Sequence, residues 1–307
     1  MNQPLLNHAT ETMAAGSKSF ATASKLFDPV TRRSALMLYA WCRHCDDVID
    51  GQQLGFAAPV PADTPEQRLE ELRQSTRAAF RGEPMQDPAF AAFQEVALAQ
   101  AIPERLAFDH LEGYAMDVRE ETYYTLDDTL RYCYHVAGVV GLMMAQVMGV
   151  RDQAVLDRAC DLGLAFQLTN IARDIVEDAQ AGRCYLPVSW LEEEGLTLQN
   201  YAEPAQRVAL ARVARRLIMA AEPYYHSAQA GLQGLPLRSA WAIATARGVY
   251  REIGVKVMAA GEQAWQKRQG TSKLEKLGLL ASAAGQAATS LFSKRTSRPA
   301  ALWQRPL

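Results

Sequence analysis

Two acidic clusters, 128 residues apart, contain the residue types best suited to chemistry in this sequence. The first lies in YAWCRHCDDVID, where Tyr39, Arg43, Asp46 and Asp50 recur every three or four residues. On an α-helix this spacing places the four side chains on one face. With Asp47, three carboxylates fall within five residues, and burying them would be costly without a cationic partner. The pattern predicts a helix whose buried face becomes polar at one end and meets a cation there.

The second cluster lies in QLTNIARDIVED, which places an amide and carboxylate face opposite an apolar face. Carboxylate and amide oxygens without His or Cys are typical ligands of Mg²⁺, which also binds substrate phosphates. Arg43 in the first cluster and Arg173 in the second are expected to bind phosphate oxygens. The two clusters therefore predict several Mg²⁺ ions bridging to an anionic substrate, and the alternative is two solvated acidic helix faces. The polar face comprises Gln167, Asn170, Asp174 and Asp178.

Other catalytic sites are excluded by their missing motifs. A di-iron helical bundle requires Glu-x-x-His on two helices, and none of the five histidines has Glu three residues before it. A P-loop, a GxGxxG turn and a nucleophile elbow are also absent from the sequence.

The composition indicates a globular, largely helical protein that positions these clusters. Of 307 residues, 49% are hydrophobic and 21% charged, which excludes disorder and a small disulfide scaffold. The net charge of −2 argues against a general nucleic-acid partner. Five scattered cysteines predict reduced thiols and a cytoplasmic location, and the N-terminus lacks the pattern of a secretory signal. Long stretches with apolar residues at intervals of three and four predict one all-helical domain over residues 1–268.

The charge is unevenly distributed along the chain. Residues 267–307 carry eight Lys or Arg and one acid, a net of +7, which leaves a net of −9 on the preceding residues. We expect residues 269–307 to form a basic C-terminal tail that is partly disordered or lies on a membrane surface. Peripheral contact with the inner face of the membrane would follow, because basic residues are attracted to anionic lipid.

Four ordered segments resemble motifs of the squalene and phytoene synthase family: SKSF, YAWCRHCDDVID, YCYHVAG and QLTNIARDIVEDAQAGRCYLP. The resemblance extends from Ser17 to about Val257. It implies an all-α, single-domain isoprenoid-synthase-type helical bundle around a central cavity. It also implies an enzyme, a prenyltransferase that joins two allylic diphosphates head to head.

The resemblance assigns roles to individual positions. It implies that Asp46, Asp50, Asp174 and Asp178, together with Asn170, hold Mg²⁺, for which Mn²⁺ can substitute. It places Tyr132, the first residue of YCYHVAG, near the reacting carbons, where it acts with Arg43 and the four aspartates. Further substrate-binding residues implied by the resemblance are Ser17, Ser19, Tyr39, Arg43, Gln167, Asn170, Arg173, Tyr185 and Tyr250.

Finer features favour the phytoene-forming branch of the family. The DDVID motif, the GRCYLP segment and the polar, basic end differ from the corresponding segments of the squalene-forming branch. The expected reaction condenses two geranylgeranyl diphosphates to phytoene through a cyclopropylcarbinyl diphosphate (prephytoene diphosphate), in carotenoid synthesis and without NADPH. Contact with other carotenoid enzymes is a further expectation.

Three alternatives stay open at this point. One is a dehydrosqualene or squalene-type synthase that uses farnesyl diphosphate, since cavity depth cannot be read from the sequence. The others are a non-catalytic assembly factor of the same fold and a terpene cyclase. The small residues Ala137, Gly138 and Gly141 predict either a wall for the prenyl tail or tight helix packing.

Overall fold

The computed structural model describes residues 3–53, 56–57, 63–294 and 296–306. Within them the chain is almost entirely helical, and the only strands described are β1 (Gln52–Gln53) and β2 (Phe56–Ala57), which pair antiparallel. The prediction of an all-α bundle is therefore confirmed, with this two-residue ladder as a small addition. The α-helices are α1 Gln3–Gly16, α2 Lys18–Ser24, α3 Pro29–Asp50, α4 Pro65–Phe80, α5 Pro88–Ala99, α6 Glu104–Val118, α7 Leu126–Cys133, α8 Val139–Val147, α9 Gln153–Gln180, α10 Val188–Glu193, α11 Arg207–Gly231, α12 Leu237–Ala260 and α13 Lys273–Ser290.

The two acidic clusters lie at the C-terminal ends of the long helices α3 and α9. The Asp28 carboxylate caps α3 by accepting hydrogen bonds from the backbone N–H groups of Val30 and Thr31, and Gly51 ends the helix with φ of 62°. Asp152 caps α9 in the same way. Both caps satisfy backbone donors that the first helical turn leaves free. Well-defined ends fix the register of each helix, and with it the direction in which the carboxylates point.

The segment between α6 and α9 contains a break in α-helical geometry. Helix α7 begins at a capping box formed by Thr125 and Asp128, and a π-helical turn over Tyr134–Gly138 then joins it to α8. Most side chains of α8 are buried. Among the described residues, no helix is long and apolar enough to cross a membrane.

Helices α8 and α9 approach each other so closely that a side chain would not fit between them. A Cβ added at Gly141 would lie 2.3 Å from the carbonyl oxygen of Ala159, and one at Gly163 would lie 2.3 Å from that of Ala137. Tight packing therefore explains these glycines. Ala137 and Gly141 also line a cavity described below, and their role as a wall for the prenyl tail stays a prediction.

The C-terminal region differs from the expected tail. Helix α13 packs on α12, and residues 296–306 return to the body, where Leu302 is buried in the main hydrophobic core. The described residues beyond 268 therefore include segments that pack against the rest of the chain, and contact of this region with a membrane surface stays a prediction. The physical reason for the packing is charge pairing, because Arg298 and Arg305 bind Asp161 and Asp157 of α9. Residues 295 and 307 lie outside the described part.

Candidate active site

An apolar cavity of about 380 Å³ runs along α9 and adjoins an acidic chamber of about 400 Å³. The α9 residues on the cavity wall extend from Val155 at the inner end to Asn170 at the chamber, about 22 Å at the helical rise. The residues that line both spaces, and so mark their junction, are Arg43, Asp46, Tyr114, Val136, Gln167 and Asn170.

Helix α3 supplies one wall of the acidic chamber. Arg43 donates to Asp46 at 2.6 Å, and Arg183 donates to Asp50 at 2.5 Å. Burial, followed by repulsion from Asp50, raises the pKa of Asp46 to about 6. The structure therefore brings the first predicted cluster into the site and adds Arg183, which lies just after α9.

Helix α9 supplies the opposite wall. Arg173 binds Asp174 through two hydrogen bonds, and Arg268 bridges Asp174 at 2.9 Å and Glu177 at 3.2 Å. Burial, followed by repulsion from Asp174, raises the pKa of Asp178 to about 8. Both walls of the chamber thus hold carboxylates whose charge is only partly compensated by arginines.

The donor set of the chamber fits a divalent cation. Its possible ligand atoms are oxygens of carboxylates, amides and tyrosine hydroxyls, and the Oδ1 atom of Asn170 is buried without a hydrogen-bond partner. Such an unsatisfied oxygen, together with crowded acids, is what an oxygen-binding cation would stabilise. Three of the four predicted aspartate ligands bind arginines instead. In the described residues no three His, Cys, Asp or Glu side chains converge as they would around a bound ion.

Two stacked tyrosines form the third side of the chamber. The rings of Tyr132 and Tyr185 lie 4.5 Å apart at 17°, and both hydroxyl groups donate to the Asp117 carboxylate, at 3.2 and 3.0 Å. Burial raises the pKa of Asp117 to about 6. The geometry brings both predicted tyrosines together and adds Asp117, which anchors them.

A group of aromatic rings lines the cavity close to its junction with the chamber. Tyr250 stacks on Phe166 with centroids 4.2 Å apart, and Phe20 lies 5.5 Å from Tyr250 and 6.4 Å from Tyr39. Ser17 caps α2 and also hydrogen-bonds Tyr250. These contacts place the predicted residues Tyr39 of α3 and Tyr250 of α12 on one wall, and Ser17, which does not line the cavity, is bonded to Tyr250.

Gln167 and Ser19 were also predicted to bind substrate. Gln167 accepts a hydrogen bond of 3.4 Å from Asn170 at the junction. Ser19 is half-buried in the first turn of α2 and is not among the residues that line the cavity or the chamber. A role for Ser19 in binding substrate therefore stays a prediction.

The sequence analysis missed Asp117, Arg183 and Arg268 as site residues. Arg268 entered the sequence analysis only in the charge of residues 267–307, and the other two lie at the end of α6 and in the loop after α9. Each is distant in sequence from the residues that it contacts. The one available signal for Arg183 was its place within the GRCYLP segment that carried the family resemblance.

A helical bundle whose apolar cavity adjoins an acidic, arginine-lined chamber defines the isoprenoid synthase class. Residues 13–276 match the family described as squalene/phytoene synthase, and the chain belongs to that family. It is 72% identical to a 15-cis-phytoene synthase of Pantoea ananas, over all of both chains, and 68% identical to a phytoene synthase of Pseudescherichia vulneris, over 99% of each. A crystal structure of a dehydrosqualene synthase with a ligand is similar at a TM-score of 0.81, with 26% identity over 94% of this chain and 98% of that one.

Proposed function

We propose that this protein condenses two molecules of geranylgeranyl diphosphate head to head into phytoene and releases two diphosphates. The observation that carries the proposal is the junction of a long apolar cavity with a charged chamber, which fits a substrate with a prenyl tail and a diphosphate head. Full-length identity of 72% to a 15-cis-phytoene synthase supports this reaction over others in the family.

The chamber is suited to remove diphosphate from an allylic carbon. Its guanidinium groups can bind the leaving oxygens with fixed geometry, which stabilises charge as it develops. We propose Mg²⁺ as the metal, held by Asp46, Asp50, Asp174, Asp178 and the free oxygen of Asn170. When bound, the metal would neutralise diphosphate charge, and Mn²⁺ can substitute. The arginines proposed to contact diphosphate are Arg43, Arg173, Arg183 and Arg268.

The aromatic side chains are suited to the cationic stage of the reaction. The first half-reaction joins two donors into a cyclopropylcarbinyl diphosphate with loss of one diphosphate and one proton. The second loses the other diphosphate, rearranges and loses a second proton, so that no hydride donor such as NADPH is needed. Tyr132 and Tyr185 present ring faces that can stabilise a nearby cation, and Asp117 holds their orientation.

The decisive experiment supplies purified protein with labelled C20 or C15 diphosphate and Mg²⁺, without NADPH. We expect phytoene from the C20 donor. Formation of only a C30 product would favour the dehydrosqualene-type alternative, and a cyclic C10 to C20 product would indicate a terpene cyclase. No product from either donor would favour a non-catalytic assembly factor and overturn the proposal.

We further propose that the protein contacts the membrane peripherally through the outer face of α13. Bulky apolar side chains are exposed at both ends of this helix, with Leu274 81% and Phe292 89% exposed. Lys273, Lys276 and Lys294 lie beside them and can bind anionic headgroups, which supports an inner-face location. Contact with other carotenoid enzymes stays a prediction.

A further inference from the structure

The C-terminal residues 296–306, here named the C-terminal strap, are held to the body by an ion pair whose carboxylate is fully buried and whose guanidinium is 15% exposed. Arg298 donates to both oxygens of Asp161, at 2.8 and 2.7 Å, and Asp161 is 0% exposed. The Ser227 hydroxyl of α11 donates to the same carboxylate at 2.5 Å. Removing one partner of such a pair leaves a buried charge without compensation, so the strap is an integral part of the fold.

A second link connects the strap to the wall of the apolar cavity. Arg158 lines the inner end of the cavity and is 6% exposed. Its guanidinium donates to the carbonyl oxygen of Ser227 at 2.9 Å on α11 and to the carbonyl oxygen of Thr296 in the strap. A cavity-lining side chain is therefore fixed by the backbone of the strap.

A third link reaches the π-helical turn. Trp303 of the strap lies 5.7 Å from the buried ring of Tyr134, and its backbone N–H donates to the Tyr224 hydroxyl at 3.2 Å. Tyr134 begins the turn whose Val136 and Ala137 line the cavity. The strap thus contacts three of the elements that line this cavity: α9, α11 and the π-helical turn.

We propose that the C-terminal strap sets the width of the inner end of the cavity and so selects the chain length of the prenyl donor. This inference rests on the proposed function, because it concerns the same cavity. On α9 the strap-binding Asp157 and Asp161 alternate with the cavity-lining Arg158 and Leu162, so one helix transmits the position of the strap to the cavity. The residues matched by the family end at 276, so the strap lies outside them.

The physical basis is close packing. Protein interiors have few voids, so a helix displaced by a fraction of an ångström changes which side chains and ligands fit. A single methylene in a hydrophobic pocket changes specificity by about tenfold or more. A short donor that does not reach the inner end should be insensitive to the strap, whereas long donors should respond to it.

The test compares C15, C20 and C25 allylic diphosphates as competing donors. The principal variant combines Arg298→Leu with Asp161→Leu, which removes the pair without leaving one charge buried alone. We expect the specificity ratio, kcat/KM for C25 over C20, to rise by about tenfold, while C15 turnover changes less than twofold. Affinity for unreactive thiolodiphosphate analogues of the three lengths should shift in the same order.

The matched control is Arg251→Leu with Glu222→Leu, an ion pair between α12 and α11 whose residues do not line the cavity. We expect the specificity ratio of this control variant to equal that of the unmodified protein.

If the strap variant does not fold, Arg158→Met tests the same link with the strap intact, and again the specificity ratio should rise. A proportional loss for all three donors, or an unchanged ratio in folded variants, would overturn the inference. Absence of turnover in the unmodified protein would instead count against the proposed function, and the analogue affinities would still test the strap.

Discussion

The two ends of the apolar cavity use the same kind of charge pair in opposite ways. At the chamber, Asp174 faces the space where substrate is proposed to bind, and its side chain is 14% exposed. At the inner end, Asp161 faces away from the cavity and is fully buried, and it binds Arg298, whose side chain is 15% exposed. A carboxylate that borders open space can exchange partners with ligands, whereas a carboxylate sealed in the interior fixes the elements that carry it. The direction in which a carboxylate points and the extent of its burial therefore distinguish a candidate catalytic group from one that stabilises the fold.

The largest expected effect is on catalysis at the chamber. Asp174→Asn removes a proposed metal ligand and the partner of two arginines, so kcat/KM should fall by about 10³-fold. Thermal unfolding should change little, because the substitution also relieves repulsion of Asp178. Steady-state kinetics beside a melting curve would check both statements. Activity within a few-fold of the unmodified enzyme would contradict the metal assignment.

At the inner end the expected effect is on stability. Asp161→Asn leaves Arg298 beside a neutral amide and should lower the free energy of unfolding by about 3 kcal/mol. Turnover of the C15 donor per folded molecule should change less than twofold. Chemical denaturation with parallel kinetics would measure both, and a large loss of C15 turnover at unchanged stability would erase the distinction between the two ends.

A smaller effect is expected at the stacked tyrosines. Tyr132→Leu removes a ring face beside the proposed cation and should lower kcat by about 30-fold, the equivalent of about 2 kcal/mol. Tyr132→Phe keeps the face and loses only the hydrogen bond to Asp117, so its loss should be several times smaller. Single-turnover rates of the two variants would check the order. Equal losses of kcat in the two variants would indicate that the Tyr132 hydroxyl, and not the ring, contributes to catalysis.

The smallest expected effect is on membrane contact. Leu274→Glu with Leu277→Glu should weaken binding to anionic liposomes about tenfold and leave turnover in detergent within twofold, because both side chains point outward from α13. Cosedimentation would measure the binding, and Val208→Glu, which changes an exposed residue on α11, is the control. Truncation after residue 268 is a poor test, since it also removes the strap. Undiminished liposome binding would exclude α13 as the contact.

The parts that the sequence predicted are those determined by local periodicity. Asp46 and Asp50 are spaced for one face of α3, and Asp174 and Asp178 for one face of α9, so helix geometry alone predicts each pair. Asp117 and Arg183 were missed because their meeting with the tyrosines and with Asp50 depends on how helices pack. The strap was missed for the same reason, since its composition resembles a disordered tail until the acids on α9 are placed beside it.

The π-helical turn over Tyr134–Gly138 makes the cavity wall formed by α8 sensitive to the number of residues in this segment. A π turn accommodates one more residue than an α turn, and each residue of an α-helix advances about 100° around the axis. Deleting one residue to restore regular α-helix would rotate the face of α8 by about that angle relative to Tyr132. Val140 and Met144 would then turn away from the cavity. A substitution between Tyr132 and Val147 changes one side chain, whereas an insertion or deletion there would change the phase of the entire wall.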